Sequence, residues 1–450
     1  MILPSSLFKT MLDKVTGIER SNSMNVILSF HSYKDPNFLI NEVIIEAINL
    51  KQDFYNNTTD GIKVIVSMNP SKIMELNKNQ SDLYATLIIE YVDAATGSPI
   101  LKEAPLVFTY RVFVHDLENL AKRFGINTFT NTESVNEDNQ EIGSETKNMM
   151  LNVNVDLIGA SEYAANRSHF HGILSNVTIE EAIKISAVNM GISKINMIPA
   201  DNTTKYRHLI IPPEYGDFAK IFEFFQFKYG IYNNGIRAYI SEGTLYIYPP
   251  FEMNLNRRPK LTILKAAPNS YLGSDNYHDD SLKDELVIVS GSKIVQQNLS
   301  NVSAENDGNS MFFLKSDEMI DGQINHNSMK LKDNTLAVTS KMDNSITSRS
   351  AVAKYNQPTI NVFAHASKLA EGTAELVGLI WDKARPYYIK PGTPINFIFD
   401  DKEIVKIKHG IVESVDYNFT RQINKGDKFI YNCTASLMLR MELDVKVFEI

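Results

Sequence analysis

The 450-residue sequence has one cysteine, Cys433, one tryptophan, Trp381, and no apolar run long enough to cross a membrane as a helix. A lone thiol cannot form an intrachain disulfide, so the fold must rest on burial and hydrogen bonding. That composition fits assembly in a reducing compartment. A helical span needs roughly 18 apolar residues in succession. The opening Met1-Ile-Leu-Pro-Ser-Ser-Leu-Phe-Lys9 has no basic segment followed by a continuous apolar one, so we expect synthesis and assembly in the cytoplasm, without membrane insertion. Positive charge is also short: 45 Lys and Arg stand against 53 Asp and Glu, a net charge of −8. General nucleic-acid binding neutralises phosphates and asks for the opposite balance.

Catalytic signatures are missing too. There is no Gly-x-Ser-x-Gly, no phosphate-cradling Gly-rich loop after a strand, and no dinucleotide fingerprint. Three places were weighed for chemistry. His169-Phe170-His171 on a strand would put two imidazoles on one face, as zinc ligands require, but no Cys pair or His-Glu motif accompanies them. Tyr277-His278-Asp279-Asp280 has the composition of an acid–base cluster, yet the polar loop Asn269 to Asp284 around it is where such residues make turns. Cys433 falls on the apolar side of an alternating strand, where a thiol packs rather than attacks. The expectation is no catalytic residue, no cofactor site, no metal site and no enzyme.

What is present is a chain long enough for two or more domains, with ordinary globular composition. Residues 40–50, 62–68, 84–92 and 106–114 are β-branched and alternating, with Ile62, Val64, Val66 and Met68 on one side. That is the strand period, and the turns expected between them are 56–61, Asn69-Pro70 and 96–99. Residues 130–148 are acidic and without apolar period, which predicts a long exposed loop. From 175 the character changes. Thr178-Ile-Glu-Glu181 is a capping box, and Ile179, Ala182, Ile183, Ser186 and Met190 then share a helical face up to Gly191. A second, Phe-rich helix is expected over 215–229, ended by Gly230. Asn234-Gly235 then reads as a hairpin turn and Glu242-Gly243 as a weaker one.

Residues 261–297 suggest two or three strands, and 298–357 a long irregular excursion. A helix is expected over 368–384, stopped by Pro386, then strands at 395–399, 403–418 and 429–441. In the last, Phe429, Tyr431, Cys433, Ala435, Leu437, Leu439 and Met441 alternate with Asn432, Thr434, Ser436 and Arg440. Residues 41–66 and 410–434 share a pattern of strand, polar turn and alternating strand, which suggests related barrels at the two ends of the chain.

Several segments carry a family resemblance. Thr178-Ile-Glu-Glu-Ala-Ile183, Ile210-Ile-Pro-Pro213, Phe225-Gln-Phe-Lys-Tyr-Gly-Ile-Tyr232 and Leu245-Tyr-Ile-Tyr-Pro249 resemble the middle domain of baseplate (tail) hub proteins of contractile-tailed phages. Tyr388-Ile-Lys-Pro-Gly-Thr-Pro-Ile395, leading into paired long strands, is similar to the second tube-type barrel of those hubs. The resemblance covers about half the chain. It implies an α+β, mostly β fold with two tube-type antiparallel β-barrels at the chain ends and an α/β domain between them. The expected divisions are 1–165, first barrel; 166–260, α/β domain; 261–357, strands and irregular excursion; and 358–450, second barrel.

It implies equally a structural virion protein of the phage tail baseplate. Such a hub is a homotrimeric ring between a hexameric tail tube and a trimeric central spike, and forms part of the DNA conduit. The implied partners are copies of itself, the tail tube protein, the central spike protein, baseplate wedge or other baseplate proteins, and DNA that passes without specific binding. Glu42, Glu46, Asp53, Glu90 and Asp93 against Lys51 suggest a neutral to acidic channel wall, with Arg257-Arg258 and Lys260 facing outward. The alternatives are another tail or baseplate component, or a tail-borne cell-wall hydrolase or receptor-binding protein. A hydrolase would bring a carboxylate pair or zinc site, and a receptor-binding protein a fibrous repeat.

Overall fold

The computed structural model describes residues 23–115 apart from 42, 56–57, 94–95 and 101–103, and residues 150–250 apart from 233–234. Further on it describes 261–265, 277–280, 285–290, 295–298, 310–315, 318–323, 336–339, 374–401 apart from 382, 404–423, 429–442 and 446–447. The loop at 130–148 and the basic cluster at 257–260 lie outside the described residues.

The first part of the chain is sheet: β1 Ser23–Ser32, β2 Leu39–Ile40, β3 Ile44–Asp53, β4 Gly61–Met68, β5 Leu83–Val92, β6 Leu106–Val114 and β7 Leu151–Gly159. One helix interrupts it, α1 Pro70–Lys78. Asn69-Pro70 is therefore a helix start and not the turn expected there. The Asn69 side chain accepts from the Lys72 N–H at 3.1 Å, and proline suits the first helical position, where no N–H is needed.

A central unit follows, with α2 Ala160–Arg167, β8 Gly172–Thr178, α3 Ile179–Asn189, β9 Lys194–Met197, β10 Lys205–Ile211, α4 Phe218–Lys228, β11 Arg237–Ser241 and β12 Thr244–Tyr248. The remainder holds β13 Leu261–Lys265, β14 Tyr277–Asp280, β15 Glu285–Ser290 and β16 Val295–Asn298. Next come β17 Ser310–Lys315, β18 Glu318–Gln323 and β19 Leu336–Thr339, which form a small antiparallel sheet inside the expected irregular excursion. The chain ends with β20 Ala374–Trp381, β21 Pro394–Asp401, β22 Ile404–Ile423, β23 Phe429–Glu442 and β24 Lys446–Val447.

Eight strands close into an antiparallel barrel in the order β22–β3–β4–β7–β6–β5–β1–β23, with β23 pairing back to β22. Six come from the first 160 residues and two from the last fifty. The barrel expected within 1–165 thus does not close on its own strands. Alternation explains the filling: Val64, Val66, Leu87, Ile89, Val153, Val155 and Tyr417 point inward and are buried. The closing seam is narrow, a single register pair Met24↔Tyr431 between β1 and β23. A side chain reinforces it, Ser23 Oγ donating to Asn432 at 3.1 Å, while the Tyr431 hydroxyl donates to the Ile45 carbonyl of β3 at 2.9 Å.

The two similar stretches at 41–66 and 410–434 become neighbouring hairpins of this one barrel, because β22 pairs antiparallel with β3. β22 is 20 residues long, about 65 Å at ~3.3 Å per residue, well beyond the barrel's other strands. Its excess carries a second sheet, ordered β16–β20–β23–β22–β21–β13–β15–β14. Two of its pairings, β13 with β15 and with β21, are parallel. Between the halves of β22 the register shifts at Val412 and Ser414, a bulge with Glu413 as the extra residue. A bulge bends a strand and re-aims a side chain, and Glu413 is re-aimed out of the alternation.

The helix expected at 368–384 is instead strand β20. Its residues alternate, Val377, Leu379 and Trp381 buried and Ile380 exposed, which suits the groove beside β23 and not a helical stripe. Tyr277–Asp280, expected in a loop, is strand β14 paired with β15. The central helices match expectation more closely. Thr178 Oγ1 accepts from the Glu181 N–H at 3.2 Å while Glu181 Oε2 accepts from the Thr178 N–H at 2.8 Å, a complete capping box. Ile179, Ala182, Ile183 and Ser186 are buried, and Phe218, Ile221, Phe222 and Phe225 of α4 pack in the same core.

The hairpin expected at Glu242-Gly243 forms between β11 and β12, with both turn residues at positive φ, while Asn234 of the other expected turn lies outside the described residues. Just before it, the Ile231 carbonyl accepts from the Asp201 N–H at 3.0 Å, and the rest of the Ile231 and Tyr232 backbone is held largely by one side chain. Gln226 Oε1 accepts from both N–H groups at 3.1 Å and its Nε2 donates to the Tyr232 carbonyl at 2.7 Å.

Candidate functional site

Strand β11 reads Arg-Ala-Tyr-Ile-Ser, and its alternation divides two environments. Ile240 packs in the core of the central unit, while Tyr239 belongs to the barrel core. Arg237, Tyr239 and Ser241 therefore share the face turned to the barrel. This face is the densest polar arrangement of the described residues.

At one end Glu413, placed by the bulge in β22, is shared by two arginines. Arg237 Nη2 lies 3.0 Å and Arg440 Nη2 2.9 Å from Glu413 Oε1, with Arg440 Nε donating to the same oxygen at 3.1 Å. All three side chains are buried. The ring of Tyr55 lies 4.2 Å from the Arg237 guanidinium carbon and 5.2 Å from that of Arg440, so an aromatic face helps accommodate the second positive charge. The Phe54 N–H donates to the Glu413 carbonyl at 3.0 Å, which ties the end of β3 to the bulge.

At the other end stands Asp60, on the connection between β3 and β4. Its carboxylate accepts from Gln52 Nε2 at 3.0 Å, from Ser241 Oγ at 3.0 Å and from the Tyr239 hydroxyl. The donors Gln52, Tyr239 and Ser241 are buried, whereas Asp60 keeps part of its surface exposed. Desolvation outweighs the three hydrogen bonds and pushes the carboxyl up to about 6, with Glu162 nearby adding repulsion. Burial and the Asp60 carboxylate together hold the Tyr239 hydroxyl well above its ordinary range. The backbone joins in: the Ile240 N–H donates to the Thr58 carbonyl at 2.8 Å, and Thr59 bridges Ile240 in parallel. The β3–β4 connection thus adds a short strand to the edge of the central sheet. Glu162 Oε1 accepts from the Gly243 N–H at 3.1 Å, and Lys390 pairs with Glu242.

The chemistry of this arrangement is that of a clamp. Glu413 and Glu242 face positively charged side chains, and Asp60 faces neutral donors. The residues singled out in the sequence lie elsewhere. The His169 and His171 rings do come together, with centroids 5.1 Å apart, but on the segment before β8 rather than on a strand. His169 Nδ1 is 3.0 Å from Asp217 Oδ1, and this contact first, then Lys220, holds the Asp217 carboxyl below its ordinary value. Among the described residues no group of three or more His, Cys, Asp or Glu is placed to hold a metal ion. Burial raises the Cys433 thiol far above its ordinary value, and the residue packs inside the barrel with Trp381 in the same core. The side chains of Tyr277 to Asp280 lie outside the described residues.

Of the acidic residues expected on a channel wall, Glu42 lies outside the described residues. Glu46 pairs with Arg421 at 3.1 Å, Glu90 accepts from Asn25 at 3.3 Å, and Asp53 is buried near Lys51. The register sets Asn418, Asn49, Lys63 and Asp156 side by side across β22, β3, β4 and β7. Sequence reasoning missed the clamp. The alternation of Arg237, Tyr239 and Ser241 with Ala238 and Ile240 was its one local signal.

Among known proteins, the family model described as Bacteriophage PBS1 gene 109 protein matches residues 17–356. No curated protein sequence matches the chain. Solved structures with a similar course include a tail protein from Neisseria meningitidis MC58, at 11% identity and TM-score 0.44 over 92% of this chain and 96% of that one. The 43 kDa tail protein of prophage MuSo2 from Shewanella oneidensis is similar at 9% identity and TM-score 0.42, over 92% and 98%. A chain of the Francisella PdpA-VgrG complex is similar at 10% identity and TM-score 0.42, over 96% and 60%.

Proposed function

Since the chain belongs to the bacteriophage PBS1 gene 109 protein family, we propose that it is a structural subunit of the virion tail, the baseplate hub that joins tube to spike. The observation that carries this reading is the pair of long strands β22 and β23, which belong at once to the closed barrel and to the second eight-strand sheet. We take that second sheet to be the second tube-type barrel unit. Two barrel units fused through continuous strands are held at a fixed relative orientation, and three chains then offer six barrel units to a sixfold tube. The clamp supports the same reading, because it fixes the central unit on the barrel, as a part that bears mechanical load requires.

In this reading the protein is not an enzyme. Its partners are two further copies, the tail tube protein, the central spike and other baseplate proteins. It resides in the virion after assembly in the host cytoplasm. Sedimentation or mass photometry of the purified protein, with subunit counting in particles, tests it. Three copies per ring are expected; monomer at micromolar concentration together with another stoichiometry in particles would sink the proposal.

The same reading makes the ring part of a DNA conduit. The row Asn418, Asn49, Lys63 and Asp156 is polar and balanced in charge, a surface that neither gathers phosphates nor stacks bases. A gel shift at low and moderate ionic strength should show no DNA complex at micromolar protein. Salt-sensitive binding that vanishes on Lys63→Ala would speak against the conduit.

A further inference from the structure

Strands β8 and β10 form a ribbon of their own, with one packed face and one open face. Leu209 and Ile211 are buried in the core of the central unit, and Leu174 and Val177 pack against it. On the other face the cross-strand pair Ile173 and Ile210 is 64% and 51% exposed, beside exposed Ser175 and His208. An open strand edge is a template for another strand, and the two edges of this ribbon differ. Along β10 the edge is closed at Ile210: its N–H donates to the Tyr229 hydroxyl at 2.8 Å, and that hydroxyl donates to the Ile210 carbonyl at 2.9 Å. Both backbone groups of Ile210 thus point away from β8, which makes Ile210 and Ile173 a non-hydrogen-bonded pair of the antiparallel ladder. The same parity holds two positions along, for His208 and Ser175. The N–H and C=O groups of Ile173 and Ser175 therefore point away from β10, along the outer edge of β8. At Thr178 that edge is closed by Glu181, whose carboxylate accepts the Thr178 N–H at 2.8 Å. Over residues 173–175 no strand among the described residues pairs with it.

We propose that the edge of β8 at residues 173–175 docks an extended segment of another tail protein, apolar beside Ile173 and acidic beside Ser175, which adds a third strand to the ribbon. The nature of the partner rests on the reading of this chain as a tail subunit; the chemistry of the edge does not. Ile173 and Ile210 offer an apolar strip at one end of the ribbon. The other end, opposite Ser175 and Thr178, carries Lys205, Arg207 and His208, and neither strand contains a carboxylate. Glu181 of α3 faces Lys205, and Arg207 and His208 are left for a partner. A strand added to β8 lies about 10 Å from β10, two strand spacings away. That is close to the Debye length of ~8 Å, so acidic side chains reaching across are attracted there. A second copy of β8 fits poorly. It brings the same excess of positive charge, and antiparallel pairing of β8 with itself is twofold, which a ring of three cannot satisfy.

Hydrogen exchange on the purified protein reads the edge directly. The probes are the synthetic peptides Ile-Thr-Val-Thr-Glu-Thr-Glu and Ile-Thr-Val-Thr-Lys-Thr-Lys at millimolar concentration. The acidic peptide should slow exchange at the Ile173 and Ser175 amides on the order of tenfold, and the basic one should not. The Ile210 amide, already held by Tyr229, should not change. No slowing, or equal slowing by both peptides, overturns the proposal. Ser175→Pro removes an outward N–H that the ribbon does not use and should abolish the effect, with α4 amides and the thermal midpoint reporting whether the fold is intact. Ile173→Glu keeps the backbone, sets a like charge against the acidic peptide and should also abolish it; full slowing in Ile173→Glu overturns the proposal. In purified tails, a photoreactive side chain at position 175 should crosslink to a different tail protein, and an adduct with a second copy, or none, counts against it. A ring of other than three copies would sink the hub reading and leave the peptide result unchanged.

Discussion

Leu437 and Ser436 stand one position apart on β23 and face opposite sides of the barrel wall. Leu437 is 2% exposed and pairs with Val415 of β22, while Ser436 faces outward. Truncating a buried leucine loses its transfer free energy and leaves a cavity that the wall only partly fills, so Leu437→Ala should cost ~2–5 kcal/mol. Ser436→Ala should stay within about 0.5 kcal/mol. Urea unfolding of both variants checks this, and equal losses would mean that β23 is out of register by one residue. The alternation made this assignment legible from sequence, though Phe429 is exposed at the strand's start and Arg440, on the polar side, is buried against Glu413. Asp60 and Glu413 were not legible. Nothing local marks an acid that will meet residues 180 positions away, and the partners of both come from other elements.

At the scale of elements, local chemistry and tertiary context each decided some outcomes. The capping box of α3 is a local device, and it formed as the spacing of Thr178 and Glu181 required. Thr178→Ala removes the acceptor for the Glu181 N–H and should cost about 1 kcal/mol, read as a lower midpoint in thermal or urea unfolding. A change within error would mean that the contacts of α3 with the core carry its N-terminus unaided. Where two local signals competed, the environment chose. Glu242-Gly243 joins Arg237–Ser241 to Thr244–Tyr248 as a hairpin, whereas the N–H groups of Ile231 and Tyr232 donate to the Gln226 side chain and not to a neighbouring strand. Strand β20 shows the same override. A short apolar run is ambiguous between helix and strand, and pairing with β23 settled it.

At the scale of the molecule, the barrel depends on the whole length of the chain. Without β22 and β23 the remaining six strands would present two free edges, at β1 and β3. Unpaired edges of long, apolar strands aggregate. A fragment ending at residue 403 should therefore be insoluble or lack a cooperative unfolding transition, and co-expression of 404–450 should restore solubility. A soluble, cooperatively folding fragment would show that the first barrel closes by another route. The long sequence separation also places this closure late in folding, since distant pairing must wait for the loop entropy to be overcome.

By itself the sequence determined what depends on near neighbours: the β-rich character, the period of β4 and β23, the capped α3 and the aromatic α4. Those properties follow from alternation, spacing and composition, which act over a few residues. Tertiary structure alone decided that the two similar hairpins lie side by side in one barrel and that β20 is a strand. It also decided that Arg237, Glu413 and Arg440 converge and that Asp60 meets Tyr239 and Ser241. Each of these depends on which strand becomes the neighbour of which. That choice is fixed by closing the whole barrel, where every edge must be paired and every inward side chain must find room.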